Sequence, residues 1–567
     1  MNDMRRTILW SVFAFSLLML WDGWLRHTGQ PSMFAPAPAA SVATAASGAA
    51  SGAGAGAVPS PIAAAVPAAA ASGAGAASAP AVPAREQVTV STDTLKATID
   101  TQGGNLVRVE LLKHRDQDHP DRQVVLMQQS PEHTYLAQSG MVQGKTGDLP
   151  DHTTPMTVLT GARELAAGQS ELVVRLESQP VNGVKRVLTY TFPRGGYLVG
   201  VRNEVVNGST SPVRPQLYVQ LVRDGAVPPS SGFFGAPTSY TGPAFYTNDG
   251  KFKKVDFKHI DEAGGDKAKL DFVKTADNGW VSMVQHYFAS AWLRTTTGTR
   301  EFYAHKVGVN LYATGMLFPL GDVAAGQTQV FDTQLFVGPQ EEKKLEAIAP
   351  GLELVKDYGM VALLAKPLYW LLYFLHQHVI SNWGWAIVLL VVLLKGAFYW
   401  LNASAYRSMA KMKAINPRIQ ELRERLKDKP QEMQQEMLRI YREEKVNPIG
   451  GCLPIVIQIP VFIALYWVLL SSVEIRNAPW IGWITDLSVK DPYYVLPALM
   501  TASTLLQTWL NPTPPDPMQS KMMWIMPMVF SVMFFFFPAG LVLYWLTNNI
   551  LSIAQQWFIN RQLGVQN

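Results

Sequence analysis

One lysine interrupts a long apolar run, Trp383-Gly384-Trp385-Ala386-Ile387-Val388-Leu389-Leu390-Val391-Val392-Leu393-Leu394-Lys395. If that run crosses a bilayer, the charge costs about 2.5–3.5 kcal/mol to insert. Such a charge needs water, a polar partner or a ligand. Amides and hydroxyls stand in the other apolar runs: Gln458 between Pro454 and Pro460, Gln507, and Thr547, Asn548, Asn549, Gln555 and Gln556 in the last. Each alone suits an interhelical hydrogen bond. Taken with Lys395 they suit a polar pocket. None of these runs contains Asp or Glu. A proton relay would therefore lack its carboxylates, and Lys395 lacks a counter-ion within the runs. An acidic ligand or substrate is the partner this leaves.

Other chemistries find little support. Cys452 is the single cysteine, which excludes an intrachain disulfide framework and Cys-rich metal or iron–sulfur sites. There is no His-Glu-x-x-His and no nucleotide-binding glycine fingerprint. Gly144-Lys145-Thr146 resembles the end of a phosphate-binding loop, but Ser139 stands where its first glycine belongs. The ten histidines are scattered; His286 reads as a core residue, and His376 and His378 as solvated or structural. No catalytic residue, metal ligand or cofactor is expected.

The elements that must position Lys395 follow from hydropathy and charge. Of 567 residues only 16% are charged, against roughly 25% in an average soluble protein. Residues 1–30 open with Met4-Arg5-Arg6 and continue apolar through Trp21 and Trp24. They read as an uncleaved membrane anchor rather than a signal peptide. Ala, Pro, Gly and Ser fill 46 of the 54 positions in 31–84, none of which is charged. This is a flexible tether. Residues 85–348 read as a β-sandwich, with strands at 95–100, 172–176, 186–192, 198–206 and 217–222. Turn signals separate them at Gly103-Gly104, Asn182-Gly183, Gly195-Gly196 and Asn207-Gly208, and a helix near 341–348 closes the domain. Residues 352–379 predict an amphipathic helix lying at the membrane surface.

Five further spans are expected at 383–402, 447–470, 493–510, 522–537 and 541–560, six with the anchor. Pro538-Ala539-Gly540 makes a tight hairpin between the last two. Residues 403–446 carry 11 Lys or Arg and 7 Asp or Glu, whereas 471–492 carry only Arg476 and Lys490 as basic residues. Positive charge marks the cytoplasmic side, so 403–446 lie inside and 471–492 outside. A cytoplasmic N-terminus gives the same answer, exports 85–348 and leaves the C-terminus inside. The connection at 511–521 is then cytoplasmic. The net charge of +5 thus reflects topology and implies no nucleic acid.

The basic segment is itself helical. Met409, Met412, Ile415, Ile419, Leu422 and Leu426 recur at three or four residues, Asp428-Lys429-Pro430 breaks the pattern, and Met433, Met437, Ile440 and Tyr441 resume it. A helical hairpin with an apolar seam is predicted.

Direction bears on Lys395. Its helix enters from outside, and helical side chains lean toward the N-terminus. Lys395 stands seven residues, roughly 10 Å, from the cytoplasmic end at 402. Leaning back carries its ammonium deeper, which favours a wet cavity over snorkelling to the near headgroups. The 522–537 run is also short, roughly 24 Å against about 30 Å of hydrocarbon. Short spans thin the bilayer locally and ease polar chain across.

Several motifs resemble one family. Lys445-Val446-Asn447-Pro448-Ile449-Gly450-Gly451-Cys452-Leu453-Pro454 leads to Gln458-Ile459-Pro460 and Phe462-Ile463-Ala464-Leu465-Tyr466. Leu487-Ser488 and Asp491-Pro492-Tyr493-Tyr494 follow, then Phe537-Pro538-Ala539-Gly540-Leu541-Val542-Leu543-Tyr544-Trp545. This resembles the YidC/Oxa/Alb membrane protein insertases, in their Gram-negative form, over roughly residues 355–560. Gly279-Trp280-Val281 through Tyr287-Phe288 and Ala291-Trp292 is similar to that form's periplasmic domain.

The resemblance implies a five-helix core in the bacterial inner membrane and a periplasmic super-sandwich like that of sugar mutarotases, without catalysis. It implies a hydrophilic groove open to the cytoplasm and to lipid, closed toward the periplasm. The groove's positive charge falls on Lys395, where the family usually has Arg; Lys keeps the charge without the planar fork. Val391 stands where a polar Thr is common. The family's paired tyrosines of the last span fall on Tyr544 and Trp545, and with the polar residues Gln458, Gln507, Asn548 and Asn549 they complete the expected groove. Ile459, Pro460 and Phe536 belong to the apolar slide along the third and fifth spans. Nascent membrane proteins would be the clients, handled alone or beside the Sec translocon and its accessory subunits, with the ribosome and the lipid bilayer as further partners. A polytopic transporter or channel with an exported β domain is the alternative; it predicts internal repeats and an ion site, and the sequence has neither an evident repeat nor an intramembrane carboxylate.

Overall fold

The computed structural model describes residues 86–117, 119, 121–144, 147–159, 162–226, 239–427, 429–444, 453–511 and 517–562. The anchor over 1–30, the tether over 31–84, Lys145, Thr146, most of the 445–454 motif and the middle of the 511–521 connection lie outside the described residues. The described chain divides into two units, one ending at Lys356 and the other beginning at Asp357.

The first unit is built from two nine-stranded sheets whose paired strands run antiparallel. One runs, in spatial order, Gln87–Ser91, Leu95–Asp100, Asn105–Arg115, Gln123–Gln129, Thr134–Val142, Gln216–Asp224, Leu311–Pro319, Arg300–Gly308, Thr275–Ala276. The other runs Lys251–Lys254, Gly242–Thr247, Trp280–Val284, Phe288–Leu293, Thr328–Pro339, Leu198–Asn207, Val184–Pro193, Glu171–Ser178, Met156–Val158. Alternation makes these strands: Leu172, Val174 and Leu176 are buried while Glu171, Val173 and Arg175 face out. The expected strands and the closing helix are all present. That helix is α2 (Glu342–Ile348), and α1 (Phe257–Ala263) precedes it.

Polar cross-links fix the two sheets against each other. Trp292 Nε1 donates to Gln220 O at 3.0 Å. Fully buried Arg186 donates to Asn203 Oδ1 (2.9 and 2.7 Å) in its own sheet and to Ser139 O (2.7 Å) in the other. Burial pushes its pKa down, and the neighbouring Tyr190, Tyr218 and Asp151 oppose that shift.

The second unit is helical. The helix expected over 352–379 is shorter: Leu352–Val355 is a 3-10 turn, Gly359 takes a left-handed conformation (φ 58°), and α3 (Ala362–His378) starts only afterwards. Ala365, Tyr369, Leu372 and Leu375 bury one face of α3, and Leu363, Trp370 and Phe374 leave the other face exposed and apolar. The 383–402 segment is broken rather than continuous. α4 (Trp383–Ala397) stops at Phe398, and α5 (Tyr399–Arg425) departs at 68°. Gly396 weakens the helix at that point. α5 and α6 (Pro430–Glu443) form the expected hairpin, with Ile415, Ile419, Leu422 and Ile440 buried in its seam. Pro430 starts α6 as its first residue.

α7 (Leu453–Ser471), α8 (Val495–Leu510), α9 (Pro517–Met533) and α10 (Ala539–Gln562) complete the unit. Phe534–Phe536 ends α9 as a 3-10 turn. Ala539 and Gly540 belong to α10 rather than to a separate hairpin turn. Their N–H groups donate to Val489 O (2.8 Å) and Leu487 O (2.9 Å) of the 471–492 loop. In that loop buried Asp491 accepts from Trp483 Nε1 (3.0 Å) and from the backbone N–H of Tyr493 (3.0 Å) and Leu496 (2.7 Å), which satisfies one of the unpaired N–H groups in the first turn of α8. Among the described residues no single helix is long and apolar enough to cross a membrane; the bent α4–α5 pair meets that test, and shorter apolar helices occupy Gln458–Ser471, Val495–Leu510 and Ser520–Phe536.

Candidate functional site

An open-sided pocket of about 440 Å³ lies where α4, α5, α7 and α10 meet. α4 contributes Val391, Leu394 and Lys395; α5 contributes Leu401 and Asn402; α7 contributes Gln458 and Val461; α10 contributes Tyr544 and Asn548, and Phe398 sits at the bend. The walls are apolar, with four polar groups and one cation among them.

The bend changes how Lys395 is held. Lys395 stands in the last turn of α4, not a full two turns inside a straight span. There the unpaired carbonyls of a helix C-terminus favour a cation by about 0.3–1 kcal/mol. Its Nζ donates to Ser552 Oγ at 2.8 Å. Ser552, itself buried, donates onward to Asn548 O at 2.7 Å. No carboxylate among the described residues pairs with Lys395. Across the pocket stand the Tyr544 hydroxyl and the Gln458 amide. The arrangement gives a cation and amide groups with spare hydrogen-bonding capacity in a concave apolar setting. It can receive an anionic or polar chain segment, and no group of His, Cys, Asp and Glu that could hold a metal ion lies among the described residues.

Four predicted groove residues therefore share one pocket: Lys395, Gln458, Tyr544 and Asn548. Three do not. Asn549 turns to α8, where Nδ2 donates to Thr504 Oγ1 (3.0 Å) and Ser503 Oγ (3.2 Å). Neighbouring helical residues point about 100° apart, so Asn548 and Asn549 cannot share a wall. Trp545 packs edge-on to Phe462 at 4.4 Å and against Phe534 at 5.1 Å, in an aromatic cluster. Gln507 is half-buried on α8, which contributes no wall to the pocket. Ile459 and Pro460 are exposed on α7, and Phe536 is 61% exposed after α9. Sequence reasoning missed Asn402 and Ser552. The available signal was spacing: Ser552 is one turn past Asn548, on the same helical face.

Two family descriptions match the chain: YidC periplasmic domain over residues 87–371, and 60Kd inner membrane protein over 374–566. The chain is 54% identical to the membrane protein insertase YidC of Cupriavidus metallidurans over 562 residues, 99% of this chain and 98% of the relative. It is 52% identical to that of Burkholderia cenocepacia over 563 residues, 99% of each. A solved structure of an active YidC insertase, with its first transmembrane domain resolved, aligns at TM-score 0.38 and 18% identity over 83% of this chain and 92% of its own. The sequence matches, not that superposition, carry the assignment.

Proposed function

Because the chain belongs to the YidC family of membrane protein insertases, we propose that it inserts its clients through the pocket around Lys395. The protein is a multi-pass insertase of the bacterial inner membrane and not an enzyme. Six spans, at 1–30, 383–402, 447–470, 493–510, 522–537 and 541–560, carry it, with both termini and the α5–α6 hairpin cytoplasmic. The β unit and the 471–492 loop face the periplasm.

The charge draws in the acidic or polar external tail of a nascent membrane protein. Gln458, Asn548 and Asn402 exchange hydrogen bonds with that tail as its water is stripped. The apolar part of the client leaves along Ile459, Pro460 and Phe536, whose exposure suits contact with acyl chains or a client helix. Insertion proceeds alone for small clients and beside the Sec translocon and its accessory subunits for others, with the ribosome near the hairpin. Family membership supports this part.

The single observation that carries the reading is Lys395 in a concave apolar pocket with no carboxylate partner among the described residues. A charge-assisted hydrogen bond contributes about 1.5–3 kcal/mol, so a client carboxylate gains on the order of ten- to a hundredfold from it. The test is insertion into liposomes containing only this protein, scored by protease protection of a small client with an acidic tail. Protection by the native chain and its loss with Lys395→Met are expected. Full protection with Lys395→Met would overturn the charged-groove reading.

A further inference from the structure

The bond that holds Lys395 has its own architecture. A serine hydroxyl offers one proton and two lone pairs. The Ser552 proton goes to Asn548 O, one turn back along α10. One lone pair receives Lys395 Nζ from α4 at 2.8 Å. With its proton committed to Asn548, Ser552 accepts from Lys395. One oxygen thus joins the helix before the bend to the last helix, at a residue only 3% exposed.

An interior helical serine commonly bonds back to its own helix and no further. Here the remaining capacity is aimed at a lysine 157 residues away in sequence. Lysine has a flexible four-carbon stem and can carry its head out to the headgroups. We propose that Ser552 is the positioning residue for Lys395: it keeps the ammonium turned into the groove, with N–H groups left over for a client carboxylate. Ser552 does not meet the client; it fixes where the charge waits. This inference rests on the reading of Lys395 as the charge of the groove.

The competing explanation is size: a small residue lets helices approach closely. The two explanations predict opposite outcomes. If size matters, Ser552→Ala is tolerated and Ser552→Thr is not. If positioning matters, Ser552→Ala fails and Ser552→Thr, which keeps the hydroxyl, works.

The experiment uses the full chain in liposomes and one small client in two forms, with a pair of Asp or a pair of Asn in its external tail. The readout is the ratio of acidic to neutral client protected from protease. Ser552→Ala should lower that ratio at least threefold while neutral-client insertion persists, and Ser552→Thr should restore it. In a Lys395→Met background, Ser552→Ala should change nothing more. An unchanged ratio with Ser552→Ala overturns the inference, as does a Ser552→Ala effect that persists without Lys395 or that abolishes both clients alike. If Lys395→Met itself leaves the ratio at its native value, the charged-groove reading fails first, and this inference with it.

Discussion

Asn548 opens into the groove, while Asn549, about 100° further round α10, binds Ser503 and Thr504 of α8. Two adjacent amides thereby face different surroundings, one lining the pocket proposed to receive the client and the other holding helices together. Interhelical hydrogen bonds in membranes average about 0.6 kcal/mol and reach nearly 2. Asn549→Leu should therefore lower the melting temperature of the detergent-solubilised protein by a few degrees and leave the acidic-to-neutral client ratio unchanged. Asn548→Leu should reduce insertion severalfold with little change in melting. The reverse assignment in paired melting and insertion assays would show that the two amides have been placed wrongly. Lys395, Gln458 and Asn548 were legible because a polar or charged group in an apolar run needs a reason, and Tyr544 because it matches a tyrosine of the family's last span. Ser552 was not, because serine is common in such helices and its bond to Lys395 depends on how α4 crosses α10.

At the scale of elements, α4 is pinned at its two ends by different means. Its last turn ends in the bend at Phe398. Its first turn sits under the 471–492 loop: Asn382 caps it by accepting from Trp385 N at 3.1 Å and donates to Pro479 O and Trp480 O. A Cβ on Gly384 would lie 2.2 Å from the Trp480 ring, so only glycine admits this approach. Gly384→Ala should destabilise this junction by about 1–3 kcal/mol, the usual range for overpacking. Protease cleavage within 471–492 would report it, and Trp480→Leu should relieve it; cleavage unchanged by Gly384→Ala would refute the close packing. The strands of the β unit were readable because alternation and paired turn residues are local signals. The bend was not. Gly396-Ala397-Phe398 has no proline and continues an apolar run, so local composition reads straight through it. The start of α3 was misjudged for a related reason: Gly359 interrupts a segment whose periodicity otherwise continues.

On the scale of the whole molecule, the β unit and the helical unit have separate cores, and they should respond separately to acid. His152 is 2% exposed in the β unit; its Nδ1 meets the Tyr218 hydroxyl at 2.5 Å, and its Nε2 has no hydrogen-bond partner among the described residues. Burial pushes its pKa down to about 4, Asp151 opposes that shift and Arg186 reinforces it. In the unfolded chain the value returns to about 6.5. Above pH 6.5 the ring is neutral in both states and the stability of the unit is complete. As pH falls from 6.5 toward 4 the unfolded chain binds a proton that the folded one refuses, so stability drops, by about 2 kcal/mol at pH 5 and about 3 kcal/mol at pH 4. α8 and α10 contain no histidine and should show no such loss. Hydrogen exchange of the full chain in lipid nanodiscs at pH 7 and pH 5, corrected for intrinsic rates, separates the two. Amides of Thr134–Val142 and Gln216–Asp224 should open at least roughly thirtyfold more at pH 5, where global opening governs them. His152→Phe, which cannot titrate, should remove roughly thirtyfold of that difference, the rest coming from half-buried His305, whose pKa burial likewise pushes down to about 4, and α8 and α10 should keep their protection throughout. Equal protection of the two strands at both pH values would show that the folded unit accepts protons at His152 and His305 without cost.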